Sequence, residues 1–222
     1  AQLLHLSRGV LTVTTRAGRW MMPRDHALWI PAGVRHAIDT VGSVDMHSVY
    51  VLPGAIAGLP DQLQVTGMTP LMRSLIVEAV CLRADPGNPR GEFILGALLH
   101  EIPRLPERPL GLPFPDNRRL AELCRDFVAR PSAHLNIDQW ADAAGLSRRS
   151  FTRIFRRETG LSLSTWRQQA CLMAALPRLS AGEAVTAVAL DLGYDSVPAF
   201  TTMFCRMMGT PPKAYLRSQS SV

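Results

Sequence analysis

Several features that would indicate a secreted or membrane-bound protein are missing from the sequence. The 222 residues include four cysteines, Cys81, Cys124, Cys171 and Cys205, and no two of them form a Cys-x-x-Cys pair. This spacing predicts reduced, mostly buried thiols in a cytosolic protein rather than disulfides or a zinc site. No window approaches about 18 uninterrupted apolar residues, and the N-terminus lacks the pattern of a secretion signal. The first residue is Ala rather than Met, so we expect a fragment or a processed chain.

The motifs of the common catalytic classes are missing as well. The sequence contains no Gly-x-Ser-x-Gly elbow, phosphate-binding loop, His-Glu-x-x-His pair or dinucleotide fingerprint. We therefore expect no catalytic residues, no metal and no cofactor, and we predict that the protein is not an enzyme.

Lysine is almost absent, and the positive charge is unevenly distributed. Lys213 is the single lysine, so nearly all cationic groups are guanidiniums, which suit bidentate contacts with phosphate and guanine. Residues 1–116 contain 10 Arg and 10 acidic residues, whereas residues 117–222 contain 13 Arg and one Lys against 8 acidic residues. The whole net charge of +6 therefore lies in the second half, which favours a polyanionic partner for that half.

A proline-rich segment divides the chain. Residues 103–115, PRLPERPLGLPFP, contain five prolines in thirteen residues. Because proline at this density cannot continue a helix or a strand ladder, we predict a semi-rigid linker over 103–116.

The two sides of this segment have different patterns. Before it, short segments rich in β-branched residues recur between glycines and predict an antiparallel sandwich or barrel over about 1–53. The predicted strands are 3–7, 10–15, 19–23, 26–30 and 45–52, punctuated by Gly9, Gly18, Gly33 and Gly42. Helical periodicity follows at about 69–83 and 92–102, and everything after residue 117 is predicted to be helical.

One pattern in the second half occurs twice. The first copy, IDQWADAAGLSRRSFTRIFRRETG, covers 137–160, and the second, VTAVALDLGYDSVPAFTTMFCRMMG, covers 185–209. In each copy a short helix is followed by a glycine, Gly145 or Gly193, which favours a tight left-handed turn. A polar residue then caps a second helix. We predict helix-turn-helix units at about 137–158 and 185–208.

A helical wheel separates two faces on the second helix of the first copy. Phe151, Ile154 and Phe155 form an apolar stripe. The opposite face carries Arg149, Arg153 and Arg156. A charge run is usually a solvated face, but two copies of the motif within a basic half favour nucleic-acid binding.

These residues resemble the AraC/XylS family of bacterial transcription regulators over about 117–218. The matching C-terminal signature consists of Ala189, Gly193, Tyr194, Phe200, Phe204, Gly209, Pro212 and Tyr215. The connecting helix also resembles that of the family, in Arg167, Ala170, Leu172, Ala175 and Leu179, with Pro177 as an interruption. The resemblance implies an α+β multidomain protein, with an N-terminal cupin-like antiparallel β-barrel with helices and a C-terminal all-α, homeodomain-like double helix-turn-helix domain over 117–222.

The resemblance also implies two recognition helices that enter successive major grooves of double-stranded DNA. By family position, the candidates for base contacts are Arg149, Thr152, Arg153, Val197, Pro198, Thr201 and Thr202. The candidates for phosphate contacts are Ser147, Arg148, Arg156, Ser196 and Arg206. The family often has Arg where this chain has Thr202, and Pro where it has Leu163, so the second recognition helix is poor in cations.

The segment PAGVRH, with Pro31, Gly33 and His36, resembles the second conserved motif of cupin barrels. Nothing upstream matches the first, metal-binding motif, because His5 stands alone. The resemblance implies a sensor or dimerisation domain over 1–102. The candidate effector-pocket residues are Trp20, Trp29, His36, His47 and Tyr50.

We therefore predict a sequence-specific transcription regulator of the AraC type in the bacterial cytoplasm, associated with the nucleoid when bound. We expect an unidentified small-molecule effector, a homodimer formed through the N-terminal half, contact with RNA polymerase if the protein is an activator, and no membrane binding. Two alternatives stay open. One is a cupin-type metal-dependent enzyme, and the other is a non-sensing DNA-binding protein whose N-terminal domain only dimerises.

Overall fold

The computed structural model describes residues 1–82, 88–134 and 136–220. Its N-terminal half is an antiparallel sheet with helices, and its C-terminal half is helical. The strands are β1 (Gln2–Thr15), β2 (Gly18–Pro23), β3 (His26–Ile30), β4 (Ala37–Tyr50), β5 (Gln64–Gly67), β6 (Glu107–Arg108) and β7 (Gly111–Pro113). The helices are α1 (Pro70–Cys81), α2 (Pro89–Glu101), α3 (Arg118–Ala129), α4 (Ile137–Ala143), α5 (Arg148–Thr159), α6 (Leu163–Ser180), α7 (Val185–Asp191), α8 (Val197–Met208) and α9 (Pro212–Ser220), with a 3₁₀ turn at Ile102–Arg104.

The long strand β1 organises the sheet. Strand β1 pairs with β4 along one edge. Along its other edge, the beginning of β1 pairs with β3 and the end of β1 pairs with β2, and a turn at Asp25 joins β2 to β3. Strand β5 pairs with β3 and β6 with β5, whereas β7 pairs with β2. This strongly bent antiparallel sheet and the helical second half confirm the predicted fold class.

The first two predicted strands form one strand. We expected a turn at Gly9, but β1 continues through it with two shifts of register against β4. Gly9 has a φ of 87°, and a Cβ atom there would lie 2.7 Å from the Ser43 carbonyl oxygen. The glycine therefore permits a β-bulge and a close approach of two strands instead of a chain reversal.

The proline-rich segment does not behave as a free spacer. It carries β6 and β7, and its side chains Leu110 and Leu112 are buried. The backbone N–H of Met21 in β2 donates to the Leu110 carbonyl at 3.1 Å. The segment is therefore hydrogen-bonded to the sheet through a residue that lies between Pro109 and Pro113. Proline is compatible with short edge strands whose missing N–H faces away from the neighbour. The boundaries of the domains stay a prediction.

The predicted helices of the first half are present with shifted ends. Helix α1 begins after Thr69, whose hydroxyl accepts from the N–H of Met72, and the predicted end at Arg83 lies outside the described residues. Helix α2 begins earlier than expected because Asn88 caps it and Pro89 occupies its first turn. Among the described residues, none of the helices is both long and apolar enough to cross a bilayer.

The interior holds two apolar clusters. The larger one joins one face of the sheet to the helical half, through residues that include Leu11, Met22, Leu112, Phe127, Trp166 and Leu172. The smaller one lies on the opposite face of the sheet, beneath α1 and α2, and includes Leu3, Trp29, Met72, Ile76 and Leu98. The sheet is therefore covered on both faces where β1 begins, and Leu3 and Leu4 are buried on opposite sides of it.

The thiols only partly match the prediction. Cys124 and Cys171 are buried, and burial raises the pKa of Cys171 to about 11 and that of Cys124 further still. Cys205 is half-buried, but Cys81, in the last turn of α1, is exposed because that face of the helix points away from the smaller cluster.

A pair of histidines lies at the junction of β1 and β4. His5 is directly opposite His47, and their stacked rings have centroids 5.8 Å apart. His5 is 2% exposed, and neither ring nitrogen has a hydrogen-bond partner in the described part of the chain. Burial, and after it the charges of His47 and Arg73, lower the pKa of His5 to about 4, whereas Asp25 opposes the shift. The folded protein therefore resists protonation of His5.

We expect His5 to make the fold sensitive to acid. The unfolded chain takes up this proton near pH 6.5, whereas the folded chain takes it up near pH 4. Neutral His5 therefore costs the folded state nothing above pH 6.5, and the free energy of unfolding falls as the pH decreases from 6.5 to 4. The loss attributable to His5 is about 3 kcal/mol. Urea denaturation at several pH values should show a shallower decline for His5→Leu, whereas the exposed control His36→Leu should follow the wild type. Parallel pH profiles of His5→Leu and wild type would contradict this account.

Candidate nucleic-acid interface

The first repeated unit consists of α4, a tight turn and α5. Gly145 has a φ of 67°, and the N–H of the next residue, Leu146, donates to the Ala141 carbonyl at 2.9 Å. The Ser147 hydroxyl then accepts from the N–H of Ser150 at 3.3 Å and caps α5. The turn and the cap lie where the sequence pattern predicts them.

The second unit, α7 and α8, repeats this geometry. Gly193 has a φ of 74°, and the Tyr194 N–H donates to the Ala189 carbonyl at 3.0 Å. The Ser196 hydroxyl accepts from the N–H of Ala199 at 3.3 Å, and Pro198 lies in the first turn of α8. A Cβ atom on Gly193 would lie 2.9 Å from the Ser132 hydroxyl oxygen, so a side chain here would displace Ser132 in addition to straining the left-handed backbone.

The two faces of α5 agree with the helical wheel. Phe151 and Phe155 are buried in the larger cluster and Ile154 is half-buried against it. The opposite face is exposed to solvent. That face carries Arg148, Arg149, Thr152, Arg153, Arg156 and Arg157, which line an open hollow of about 830 Å³. Helix α5 therefore presents an open cationic surface, which we call the arginine face.

The cations of the arginine face differ in how they are held. Arg148 lies 3.5 Å from the carboxylate of Asp138 on α4, and Arg157 lies 2.9 Å from Glu158. Within the described residues, Arg149, Arg153 and Arg156 form no ion pair. These three guanidiniums keep their full hydrogen-bonding capacity for an external acceptor.

Two smaller side chains near this face are already engaged. The Thr152 hydroxyl donates to the Arg148 carbonyl at 2.9 Å, which leaves its methyl group and its lone pairs for an external contact. The Ser147 hydroxyl serves as the cap and donates to the Ser150 hydroxyl at 3.1 Å. Of the residues predicted on this helix, the arginines therefore have the greatest capacity for new hydrogen bonds.

The exposed face of α8 is chemically different. Pro198 and Thr202 are exposed, Thr201 is half-buried, and Val197 packs partly against the larger cluster. Arg206, the cation of this helix, donates to the side-chain carbonyl of Gln168 on α6. The second recognition surface is thus formed mainly by small or apolar groups.

The five candidate effector-pocket residues are dispersed. Trp29 is buried beneath α1 and α2, where its indole N–H donates to the Pro60 carbonyl at 2.7 Å. Trp20 lines a separate cavity of about 300 Å³ beside β7. His36 is exposed, His47 stacks on His5, and Tyr50 is 78% exposed. The structure does not bring these side chains together around one cavity.

Sequence patterns missed two features of this region. The contact between Gln168 and Arg206 joins residues 38 positions apart, and no local signal indicates it. Arg157 lies on the shoulder of the helical wheel, yet it lines the arginine face. A wheel that allowed for the reach of a long arginine side chain could have included it.

Comparison with known proteins places this architecture in a family. The family model described as a helix-turn-helix domain matches residues 140–218. The HTH-type transcriptional regulator NimR of Escherichia coli (strain K12) is 32% identical over 100% of this chain and 81% of the relative. The chain belongs to the AraC/XylS family of transcription regulators. As a member of this family, it is a DNA-binding transcription regulator, and double-stranded DNA is its partner.

Solved structures align with the chain as well. The DNA-binding domain of AdpA, solved in complex with a target DNA, is 29% identical, covers 45% of this chain and 91% of its own, and gives a TM-score of 0.43. The structure of ToxT from Vibrio cholerae is 9% identical, covers 99% of this chain and 90% of its own, and gives a TM-score of 0.46.

We expect the two recognition helices to contribute unequally to specificity. An arginine fork on guanine contributes about 1–3 kcal/mol of discrimination, so Arg149→Ala or Arg153→Ala should nearly abolish specific binding. Thr202 offers at most a single hydroxyl contact, and Thr202→Ala should weaken binding by about 1 kcal/mol or less. Arg8→Ala is the matched control, because Arg8 is an exposed arginine of β1 and lies outside the arginine face.

The measurement is a saturation-mutagenesis scan of the operator. It should reveal a guanine-containing half that is read stringently and a second half that is read loosely. Comparable base preference in both halves would contradict the unequal division.

Proposed function

We propose that this regulator reads DNA by placing α5 and α8 in two successive major grooves. The observation that carries the proposal is the arginine face, whose Arg149, Arg153 and Arg156 form no ion pair within the described residues. Helix α5, which carries this face, follows the same kind of turn as α8 and has the same kind of serine N-cap. In this arrangement Arg149 and Arg153 contact bases together with Thr152, and Arg156 and Arg148 contact phosphates. Helix α8 adds base contacts from Val197, Pro198, Thr201 and Thr202, and phosphate contacts from Ser196 and Arg206, while Ser147 contributes to phosphate binding at the start of α5.

We further propose that the N-terminal half senses a small-molecule effector and controls the DNA-binding half. Support comes from the shared apolar cluster, because sheet residues such as Leu112 and helical residues such as Trp166 belong to one core. A change in the packing of the sheet therefore reaches the helices that hold the recognition surfaces. If the protein is an activator, RNA polymerase is a further partner, and the expected location is the cytoplasm and the nucleoid.

The same half carries an apolar surface that fits a homodimer. Phe93 on α2 is 80% exposed, Leu95 on another side of the same helix is 45% exposed, and α1 exposes Leu71, Val77 and Val80. The contact between α1 and α2 buries Leu98 and Ile76 instead, so these side chains remain outside the core of one chain. An apolar surface of this kind is typical of a protein–protein interface.

The DNA-binding proposal is tested with the full chain and with fragments selected from a genomic library. Affinity for a selected duplex should exceed affinity for competitor DNA, and it should fall steeply with salt because each neutralised phosphate releases counterions. The slope of log affinity against log salt should flatten by about one unit in Arg156→Ala. Equal affinity for every duplex would overturn the sequence-specific part of the proposal.

The dimer is tested by analytical ultracentrifugation. Replacing Phe93 and Leu95 by Glu should convert dimers to monomers, because two charges would then be buried in the interface without partners. Glu92→Gln on the same helix is the matched control and should stay dimeric. A wild-type chain that is monomeric at high micromolar concentration would contradict the proposal.

A further inference from the structure

A second site lies between the two halves of the molecule. It is a cleft of about 530 Å³ between the hairpin that joins β1 to β2 and the exposed side of α3. Thr14, Arg16 and Arg19 come from the hairpin, Phe114 from the connecting segment, and Arg125 and Val128 from α3. The arginine face belongs to α5, so the two sites are lined by different residues.

The cleft gathers positive charge that the protein itself does not neutralise. Within the described part of the chain, none of the guanidiniums of Arg16, Arg19 and Arg125 forms an ion pair. The guanidinium carbon of Arg125 lies 6.0 Å from the centre of the Phe114 ring, which holds this cation beside the cleft. An oxyanion would supply the acceptors that these donors lack.

A second, more apolar cavity lies next to the cleft. A smaller cavity of about 190 Å³ shares Arg19 and Val128 with the cleft. The rest of its lining is largely apolar and includes Met21, Leu112, Met173 and Pro177. The charged cleft and the neighbouring apolar cavity together fit a molecule with one anionic end and a compact apolar body.

We propose that this cleft binds a small organic anion, with a carboxylate or phosphate head held by Arg16, Arg19 and Arg125 and an aromatic or aliphatic body directed toward Met21 and Leu112. The proposal rests on the proposed function of the N-terminal half as a sensor, and it assigns that role to residues other than the five predicted from the sequence. Guanidinium groups suit both heads because they bind two oxygens at once.

Such a ligand would contact both halves simultaneously. Arg16 and Arg19 belong to the sheet, whereas Arg125 belongs to the helical half, so the charged contacts depend on how the halves pack. Phe114 lies 6.4 Å from Trp166, whose ring lies 5.9 Å from Phe155 of α5. A ligand that binds one packing arrangement more tightly than another shifts the protein toward that arrangement, and the recognition helix shifts with it.

Isothermal titration of the full chain without DNA tests the site directly. Two probes are aromatic anions: benzoate carries a carboxylate and phenyl phosphate carries a phosphate. Benzyl alcohol is the uncharged aromatic control, and inorganic phosphate is the anion without an aromatic ring. We expect one or both aromatic anions to bind at least about tenfold more tightly than benzyl alcohol and inorganic phosphate. Preference for benzoate or phenyl phosphate identifies the head. Equal binding of benzyl alcohol, equal binding of inorganic phosphate, or no binding of any probe would overturn the proposal.

Variants locate the bound probe. Arg19→Gln and Arg125→Gln should each weaken probe binding by about tenfold or more. Arg8→Gln, an exposed residue of β1, and Arg153→Ala in the arginine face should leave probe binding unchanged. Loss of probe binding in Arg153→Ala with retention in Arg19→Gln would assign the anion to the DNA-binding surface and overturn the proposal.

A DNA-binding assay separates this proposal from the proposed function. If Arg19→Gln and Arg125→Gln weaken DNA binding in the absence of any probe, and no probe binds, the cleft contacts DNA phosphates and the proposal is wrong. Probe binding that depends on Arg19 and Arg125 supports the site by itself. If such binding leaves DNA affinity unchanged, the sensing role in the proposed function fails while the anion site stands.

Discussion

A buried hydrogen bond connects the sheet to the helical half of the molecule. The indole N–H of Trp166 on α6 donates to the backbone carbonyl of Pro113 at 2.7 Å, at the end of β7. Trp166 is fully buried, so both groups would lose water without gaining a partner if the contact were broken. Since Pro113 also pairs with Gly18 of β2, this bond fixes α6 relative to the β7 edge of the sheet.

The recognition surface depends on the same indole through aromatic packing. Trp166 contacts Phe127 of α3, Trp140 of α4 and Phe155 of α5, at centroid distances of 5.8, 6.0 and 5.9 Å. Trp140 in turn contacts Phe151 edge-on at 6.2 Å. Rings packed in this way restrict one another's orientation, so the apolar stripe of α5 has little freedom to rotate. The arginine face on the opposite side is directed outward for that reason.

The extent to which sequence predicts this molecule depends on the separation of the interacting residues. The turns at Gly145 and Gly193 and the caps at Ser147 and Ser196 are determined within a few positions, and the prediction placed them correctly. The strands of the proline-rich segment could not be predicted in this way, because their pairing partners lie tens of residues away in β2 and β5. The cleft around Arg19 was missed for the same reason, since three distant segments meet there.

The two helix-turn-helix units share a backbone but not a surface, and this difference has a structural origin. Gly160 after α5 and Gly209 after α8 both have a φ of 73°, so both helices end in the same way. On α8, however, Val197 packs against the core and Arg206 is hydrogen-bonded to Gln168, so part of the polar surface serves to hold the unit against α6. Helix α5 is held by its buried aromatic stripe instead. The guanidiniums of Arg149, Arg153 and Arg156, which form no ion pair among the described residues, therefore remain available to an external acceptor.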